Sequence, residues 1–192
     1  MQIRYSTDLT VEEYIKNESW EQAELTCCPF HPDGDCSYAK HGFYPRKFPD
    51  YCLVARYYCP EAHQSISLLP DFFASRLPGT LDDVEHAVNI VEVSSSQEEA
   101  AIKLRPEITL PSALKWLRRR MKYVKEILNI LAGLLVTECP PVLKAFRKVF
   151  GVKNVLKSLR HIAREHLQHL PPIVGLGPRS TCRYSTFCSS NN

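Results

Sequence analysis

The chain has 192 residues, of which 44% are hydrophobic, so it can bury an ordinary core and is not disordered throughout. It has no apolar run of about 18 residues and begins without the apolar stretch of a signal peptide, which predicts a cytoplasmic protein without a membrane segment. Its formal net charge of +3 is uneven, because residues 101 to 170 contain 15 Lys and Arg against 4 Asp and Glu. A basic segment of this density attracts phosphate groups, so we expect nucleic-acid binding, with a solvated basic face as the alternative.

Residues 1 to 24 are polar and acidic, and we expect them to form an N-terminal arm that packs on the chain or binds a partner. Thr10 is followed three positions later by Glu13, which is the pattern of a capping box. This pattern predicts one short amphipathic helix that begins at Val11.

Two short knuckles, Cys28-Pro29-Phe30-His31 and Cys59-Pro60-Glu61-Ala62-His63, each pair a Cys with a following His. Thiolate and imidazole donors are the ligands of tetrahedral zinc, and reduced thiols fit a chain without a signal sequence. Cys27 and Cys36 lie close enough to replace Cys28 or His31, so the choice of ligands stays open. The candidate metal ligands are Cys28, His31, Cys36, Cys59 and His63.

The residues between the knuckles favour β-structure, with residues 42–47 and 51–58 as strands, residues 48–50 as their turn and Gln64 to Leu69 as a third strand. This pattern predicts a three-stranded zinc ribbon over residues 25–75. A core this small is not stable alone, so zinc would contribute folding energy. Four protein donors leave no open position on the metal, which predicts a structural rather than a catalytic zinc.

A resemblance extends over residues 27 to 131 and is strongest in the ribbon. The segments that show it are Lys40-His41-Gly42-Phe43-Tyr44-Pro45-Arg46, Ala55-Arg56-Tyr57-Tyr58-Cys59-Pro60 and Ser65-Ile66-Ser67-Leu68-Leu69-Pro70. In this order they resemble zinc-ribbon proteins that are encoded with bacterial transposons. Membership in that group implies a bacterial protein that binds DNA or has a transposase or another transposition protein as its partner.

Residues 80–170 are predicted to form a basic helical domain. Thr80 is a natural N-cap for the first helix, and Ser95, with Glu98 in the box position, is predicted to cap a short helix from Gln97 to Leu104. A long helix then runs from Pro111 to about Leu135. Its heptad seam is predicted to be core, with a dimer zipper as the alternative, so the chain would be a monomer or a homodimer. The seam consists of Leu114, Leu117, Met121, Val124, Leu128, Leu131 and Leu135.

The short helix followed by the long basic helix has the order of a helix-turn-helix over residues 97–125. In that motif the second helix contacts duplex DNA, while a plain helical hairpin with a basic face is the alternative interpretation. The candidate DNA-binding residues are Lys115, Arg118, Arg119, Arg120, Lys122 and Lys125. Residues 171–192 are predicted to form an irregular tail, in which Cys182 and Cys188 match no zinc knuckle.

The sequence contains no clear set of catalytic carboxylates, no Ser-His-Asp order and no phosphate-binding or dinucleotide motif, so we expect no enzyme. The predicted fold class is α+β, with a small N-terminal β zinc ribbon followed by an all-α, helix-turn-helix-like domain. The predicted function is a zinc-stabilised, transposon-related DNA-binding accessory or regulatory protein. The alternative is a protein-interaction adaptor that uses the ribbon and the heptad-patterned helices.

Overall fold

The computed structural model describes residues 1–34, 36–134, 139–171 and 173. The elements of the N-terminal half are β1 (Gln2–Tyr5), α1 (Val11–Lys16), β2 (Ala39–Pro45), β3 (Leu53–Cys59) and β4 (Gln64–Pro70). The helices that follow are α2 (Leu81–Val93), α3 (Gln97–Leu104), α4 (Leu110–Leu134), α5 (Leu143–Phe150) and α6 (Val155–Ile162), and a 3-10 helix spans Arg164–His169. The mixed α+β class is therefore confirmed. The predicted tail lies almost wholly outside the described residues, as do Cys182 and Cys188.

The four strands form one sheet in the order β1-β4-β3-β2. Strand β3 pairs antiparallel with both β2 and β4, and these three strands confirm the predicted ones with small shifts at their ends. Strand β1 was not predicted. It pairs parallel with β4, so that Ile3 lies opposite Leu68. Residues 2–5 therefore form an edge of the sheet.

Helix α1 begins as predicted, with the Thr10 hydroxyl accepting from the Glu13 N–H and the Glu13 carboxylate accepting from the Thr10 N–H. Its one buried residue is Tyr14, whose ring lies 5.8 Å from the Trp20 ring and 5.5 Å from the Phe72 ring, measured between centroids. These aromatic rings pack with buried residues of β3 and β4 into the core of the N-terminal half.

The helical half has its own core around the seam of α4. Leu117, Val124, Leu128 and Leu131 are buried, Leu114 and Met121 are half-buried against them, and Leu135 lies outside the described residues, so the described seam faces the core. Helix α3 has the predicted bounds, but its N-cap is Ser96 and not Ser95. Three serines in a row precede Glu98 and Glu99, so the capping pattern fits two registers, and the structure has the second, in which the Ser96 hydroxyl accepts from the Glu99 N–H at 3.1 Å. Within the described residues, no helix is long and apolar enough to cross a bilayer.

A buried carboxylate joins α2 to the last helices. Glu85 is 3% exposed, and its two oxygens accept hydrogen bonds from the N–H groups of Val155 and Leu156 at the start of α6, at 3.1 and 2.9 Å. Arg147 of α5 donates to the same carboxylate at 2.6 Å. Two of the four N–H donors that a helix start leaves unpaired thus find their acceptor in Glu85, and these N–H groups and Arg147 stabilise its buried charge.

We expect Glu85→Gln to lower the free energy of unfolding by about 2–4 kcal/mol, because the amide N–H₂ faces donors and leaves the Arg147 charge unpaired. The measurement is urea unfolding followed by circular dichroism. Glu126→Gln, at an exposed position of α4, is the matched control and should change the stability by less than about 0.5 kcal/mol. Equal stability of the two variants would contradict this assignment.

Candidate functional site

Four of the predicted metal ligands lie together at one end of the sheet. Cys28 and His31 belong to one tight turn, in which the His31 N–H donates to the Cys28 carbonyl at 3.1 Å. Cys59 is the last residue of β3, and the N–H of Ala62 in the following turn donates to its sulfur at 3.4 Å. Cys36 lies in the loop that leads to β2. Two turns, a strand end and a loop therefore bring the donors of Cys28, His31, Cys36 and Cys59 together.

The spacing of these donor atoms fits a metal ion. All four atoms lie within 4.8 Å of one another. His31 Nδ1 lies 3.6 Å from Cys28 Sγ and 3.4 Å from Cys59 Sγ. In a tetrahedral zinc site with Zn–S near 2.3 Å and Zn–N near 2.0 Å, the N···S distance is about 3.5 Å. This cluster, which we call the Cys/His cluster, can hold a metal ion.

His63 was predicted as a ligand but is not part of the cluster. It has a positive φ of 49°, lies in the β3–β4 turn and is exposed. Its Nδ1 is 3.5 Å from the hydroxyl of Tyr58, the neighbour of Cys59. Successive side chains of a strand point to opposite faces, so contact with Tyr58 places His63 on the face away from Cys59. Cys36 completes the set instead, and the exposed Cys27 lies outside it.

The thiols of the cluster differ in acidity. Burial raises the pKa of Cys28, but hydrogen bonds from His31 and the Phe30 backbone outweigh it and lower the pKa to about 7. Desolvation and hydrogen bonding with Cys28 and Cys59 raise the pKa of Cys36 to about 11, although the Tyr38 backbone acts in the opposite direction. The Cys28 thiolate therefore forms readily, and Cys36 resists a second negative charge beside it. A divalent cation is the partner that stabilises three adjacent thiolates.

Glu61 supports the cluster from outside it, and sequence reasoning missed it. Its carboxylate accepts from the Ser37 N–H at 3.2 Å and from the Ser37 hydroxyl at 2.9 Å. The Cys59 thiol also lies 3.6 Å from this carboxylate. Glu61 therefore ties the loop of Cys36 to the turn after Cys59. A carboxylate inside a Cys-Pro-x-x-His knuckle was the available signal, since groups next to ligands commonly orient them.

We expect Cys36→Ser to weaken metal binding at least about tenfold, because one of four donors is lost. The measurement is metal content of the purified chain by plasma mass spectrometry, followed by competition with a chromophoric chelator. Cys27→Ser is the matched control. It alters an exposed thiol that lies next to Cys28 in the sequence but outside the cluster, so this variant should retain metal like the unaltered chain. Equal metal loss in both variants would contradict the ligand set.

The second candidate site is the exposed face of α4. Five of the six candidate DNA-binding residues are exposed there, and at about 100° per residue they span an arc of about 120°, opposite the buried seam. Within the described part of the chain, none of them forms an ion pair with a carboxylate. Glu126 is the one acidic residue of α4 and lies in the same arc. The basic face, as we call it, consists of Lys115, Arg118, Arg119, Lys122 and Lys125.

Arg120 was predicted to contact DNA, but the structure buries it. It is 4% exposed, its guanidinium lies 3.8 Å from the centroid of the Trp116 ring, and it donates to the Pro78 carbonyl at 3.1 Å. Burial lowers its pKa to about 10. The spacing contained the signal, because position 120 is three residues after Leu117 and four before Val124, on the side of the seam.

We expect Arg120→Met to lower the free energy of unfolding by about 1–3 kcal/mol, because the Pro78 carbonyl loses its donor and the Trp116 ring loses the nearer of its two cations, while Arg105 remains 5.2 Å from the ring. Urea unfolding measures the change. Arg119→Met, the control one position along the helix, removes an exposed guanidinium with one long 3.4 Å hydrogen bond and should change the stability by less than about 0.5 kcal/mol. The reverse order of effects would show that Arg120 is not the anchor.

The helices of the predicted helix-turn-helix pack together. Ala100 and Ala101 of α3 lie in one buried cluster with Ala113 and Leu117 of α4 and Ala87 of α2.

Comparisons of the chain with protein-family models, curated proteins and solved structures found no match. The similarity to transposon-encoded zinc-ribbon proteins therefore stays a prediction from the residues themselves.

Proposed function

We propose that the protein is a zinc-stabilised DNA-binding accessory or regulatory protein that contacts duplex DNA through the basic face of α4. The observation that supports this proposal most directly is the set of five exposed cations on one side of one helix, none paired with a carboxylate in the described residues. Unpaired cations attract phosphate groups and release their counterions on binding. The proposed activity is binding and not catalysis, in the cytoplasm, with a transposition protein as a further partner.

Zinc is the metal that we propose for the Cys/His cluster. Three thiols and one imidazole match the preferences of zinc, and four protein donors make the site structural. When bound, zinc would link the turn of Cys28 and the loop of Cys36 to the end of β3, and so contribute folding energy to the N-terminal half. The metal analysis of the Cys36 variant also identifies the ion. A folded chain without metal would overturn this part of the proposal.

The placement of the basic face also favours the DNA proposal. Lys115 and Lys125 are ten residues apart, so the face extends about 15 Å along the helix. Helix α3 precedes α4 with five residues between them, which is the order, though with a longer turn, of a helix-turn-helix. Arg120 does not contribute to contact with DNA, because it is buried against Trp116. The proposed zinc ribbon would then be the support, and the proposed all-α domain would be the unit that binds DNA.

The test measures binding of a fluorescent random 25-base-pair duplex over a series of salt concentrations. We expect affinity to fall steeply with salt, and Arg119→Glu combined with Lys122→Glu to weaken binding at least about tenfold and to reduce the salt slope by about two. The matched control is Lys144→Glu combined with Lys148→Glu, exposed positions of α5 with the same change in charge.

Absence of binding at low salt would overturn the DNA proposal. Equal weakening by the two charge-reversed pairs would show that binding depends on total charge, and it would overturn the assignment to α4.

A further inference from the structure

An apolar groove lies between α2 and α4 and has a volume of about 560 Å³. Its floor contains Val88, Val91, Met121, Val124 and Leu128. Val142, before the start of α5, also lines it and remains 41% exposed. A groove with an apolar floor and an exposed apolar end is characteristic of a binding surface.

The rim of the groove has a strong charge asymmetry. Arg118, Lys122 and Lys125 line it from α4, and all three belong to the basic face. The acidic residue of the opposite wall is Glu92, whose carboxylate accepts from the Leu143 N–H at 2.9 Å and so is engaged with the start of α5. An occupant that fits this groove is therefore apolar on one side and acidic along the edge next to α4.

We propose that this groove binds an acidic amphipathic helix of a partner protein. Val91 and Met121 are half-buried and Val142 is exposed, so the apolar residues of a second helix can pack against the side chains of these three residues. Acidic residues beside that apolar stripe would face Arg118, Lys122 and Lys125. Duplex DNA makes little use of an apolar floor, because its backbone presents phosphates and sugars. A second copy of the chain that docked groove to groove would bring the same cationic rim and be repelled.

The inference goes beyond the proposed function, and one consequence depends on it. The partner helix and duplex DNA would use the same three cations, so that each would exclude the other from α4. An acidic helix would then act as a competitor that releases the protein from DNA.

The test uses the full chain without DNA and a fluorescein-labelled synthetic 16-residue helix, with Leu at positions i, i+3, i+7 and i+10 and Glu beside them. Fluorescence anisotropy measures its binding. The control peptides are a scrambled version without the apolar stripe and a version in which every Glu is replaced by Lys. We expect binding of the first peptide and at least about tenfold weaker binding of both controls.

Two pairs of variants separate the groove from the rest of the basic face. Lys122→Glu with Lys125→Glu should weaken binding of the acidic peptide about tenfold, whereas Lys115→Glu with Arg119→Glu, outside the groove, should change it less than about twofold. Val91→Asp should also weaken it, and Val93→Asp, at an exposed position outside the groove, should not. The exposed charge-reversal pairs keep the test valid if Val91→Asp fails to fold.

Equal binding of the scrambled peptide, or equal effects of the two charge-reversal pairs, would overturn the inference. Two other outcomes would identify a different occupant and also overturn it. One is self-association of the chain that is abolished by Lys122→Glu with Lys125→Glu. The other is binding of dodecanoate without binding of the peptide. Both charge-reversal pairs should weaken binding of duplex DNA. Peptide binding without DNA binding would therefore overturn the proposed function alone and leave the groove assignment intact.

Discussion

Two guanidinium groups hold the short segment that connects the sheet to the helices. Arg46, which follows β2, donates to the carbonyls of Ala74 and Leu77, and Arg120 of α4 donates to that of Pro78. Carbonyls in an irregular segment have no partners in a sheet or helix, so buried donors must satisfy them. The segment also contributes Ala74 and Leu77 to the helical core, next to Phe73 in the core of the sheet. The position of the Cys/His cluster relative to the basic face therefore depends on these two arginines together with the backbone hydrogen bonds from Ala74 to Gly79 and from Leu81 to Phe72.

The Cys/His cluster is one of several contacts that hold the long connection between α1 and β2. In its described residues this connection has no regular strand or helix, yet the hydroxyl of Tyr57 donates to the Ala23 carbonyl at 3.1 Å, and that of Tyr38 to the Leu25 carbonyl at 3.0 Å. These tyrosines hold its first part, and the cluster, together with the hydrogen bonds from Ser37 to Glu61, holds the rest against β3. Without a bound cation, adjacent thiols give that second part little cohesion, which is the physical reason to expect a metal there.

Local signals predicted much of the fold, and contacts between distant residues account for most differences. The bounds of α3 and the starts of α1 and α2 depend on neighbours in the chain, so capping residues and periodicity located them closely. Strand β1 has only four residues and a distant partner, so no local pattern revealed it. The choice of Cys36 over His63 follows from which face of β3 each side chain shares. Arg120 was assigned to DNA by its charge, although its spacing indicated the core.

The parallel pairing of β1 with β4 has a consequence for the order in which the protein is built. Gln2 lies opposite Ser67, so β1 cannot find its partner until 65 further residues have been made. Tyr14 likewise waits for Phe72. The helices α2, α3 and α4 follow one another in the chain and pack on their neighbours, and such local contacts form fast. During synthesis β1 therefore leaves the ribosome before β4 and is fixed in place only after the rest of the sheet has emerged.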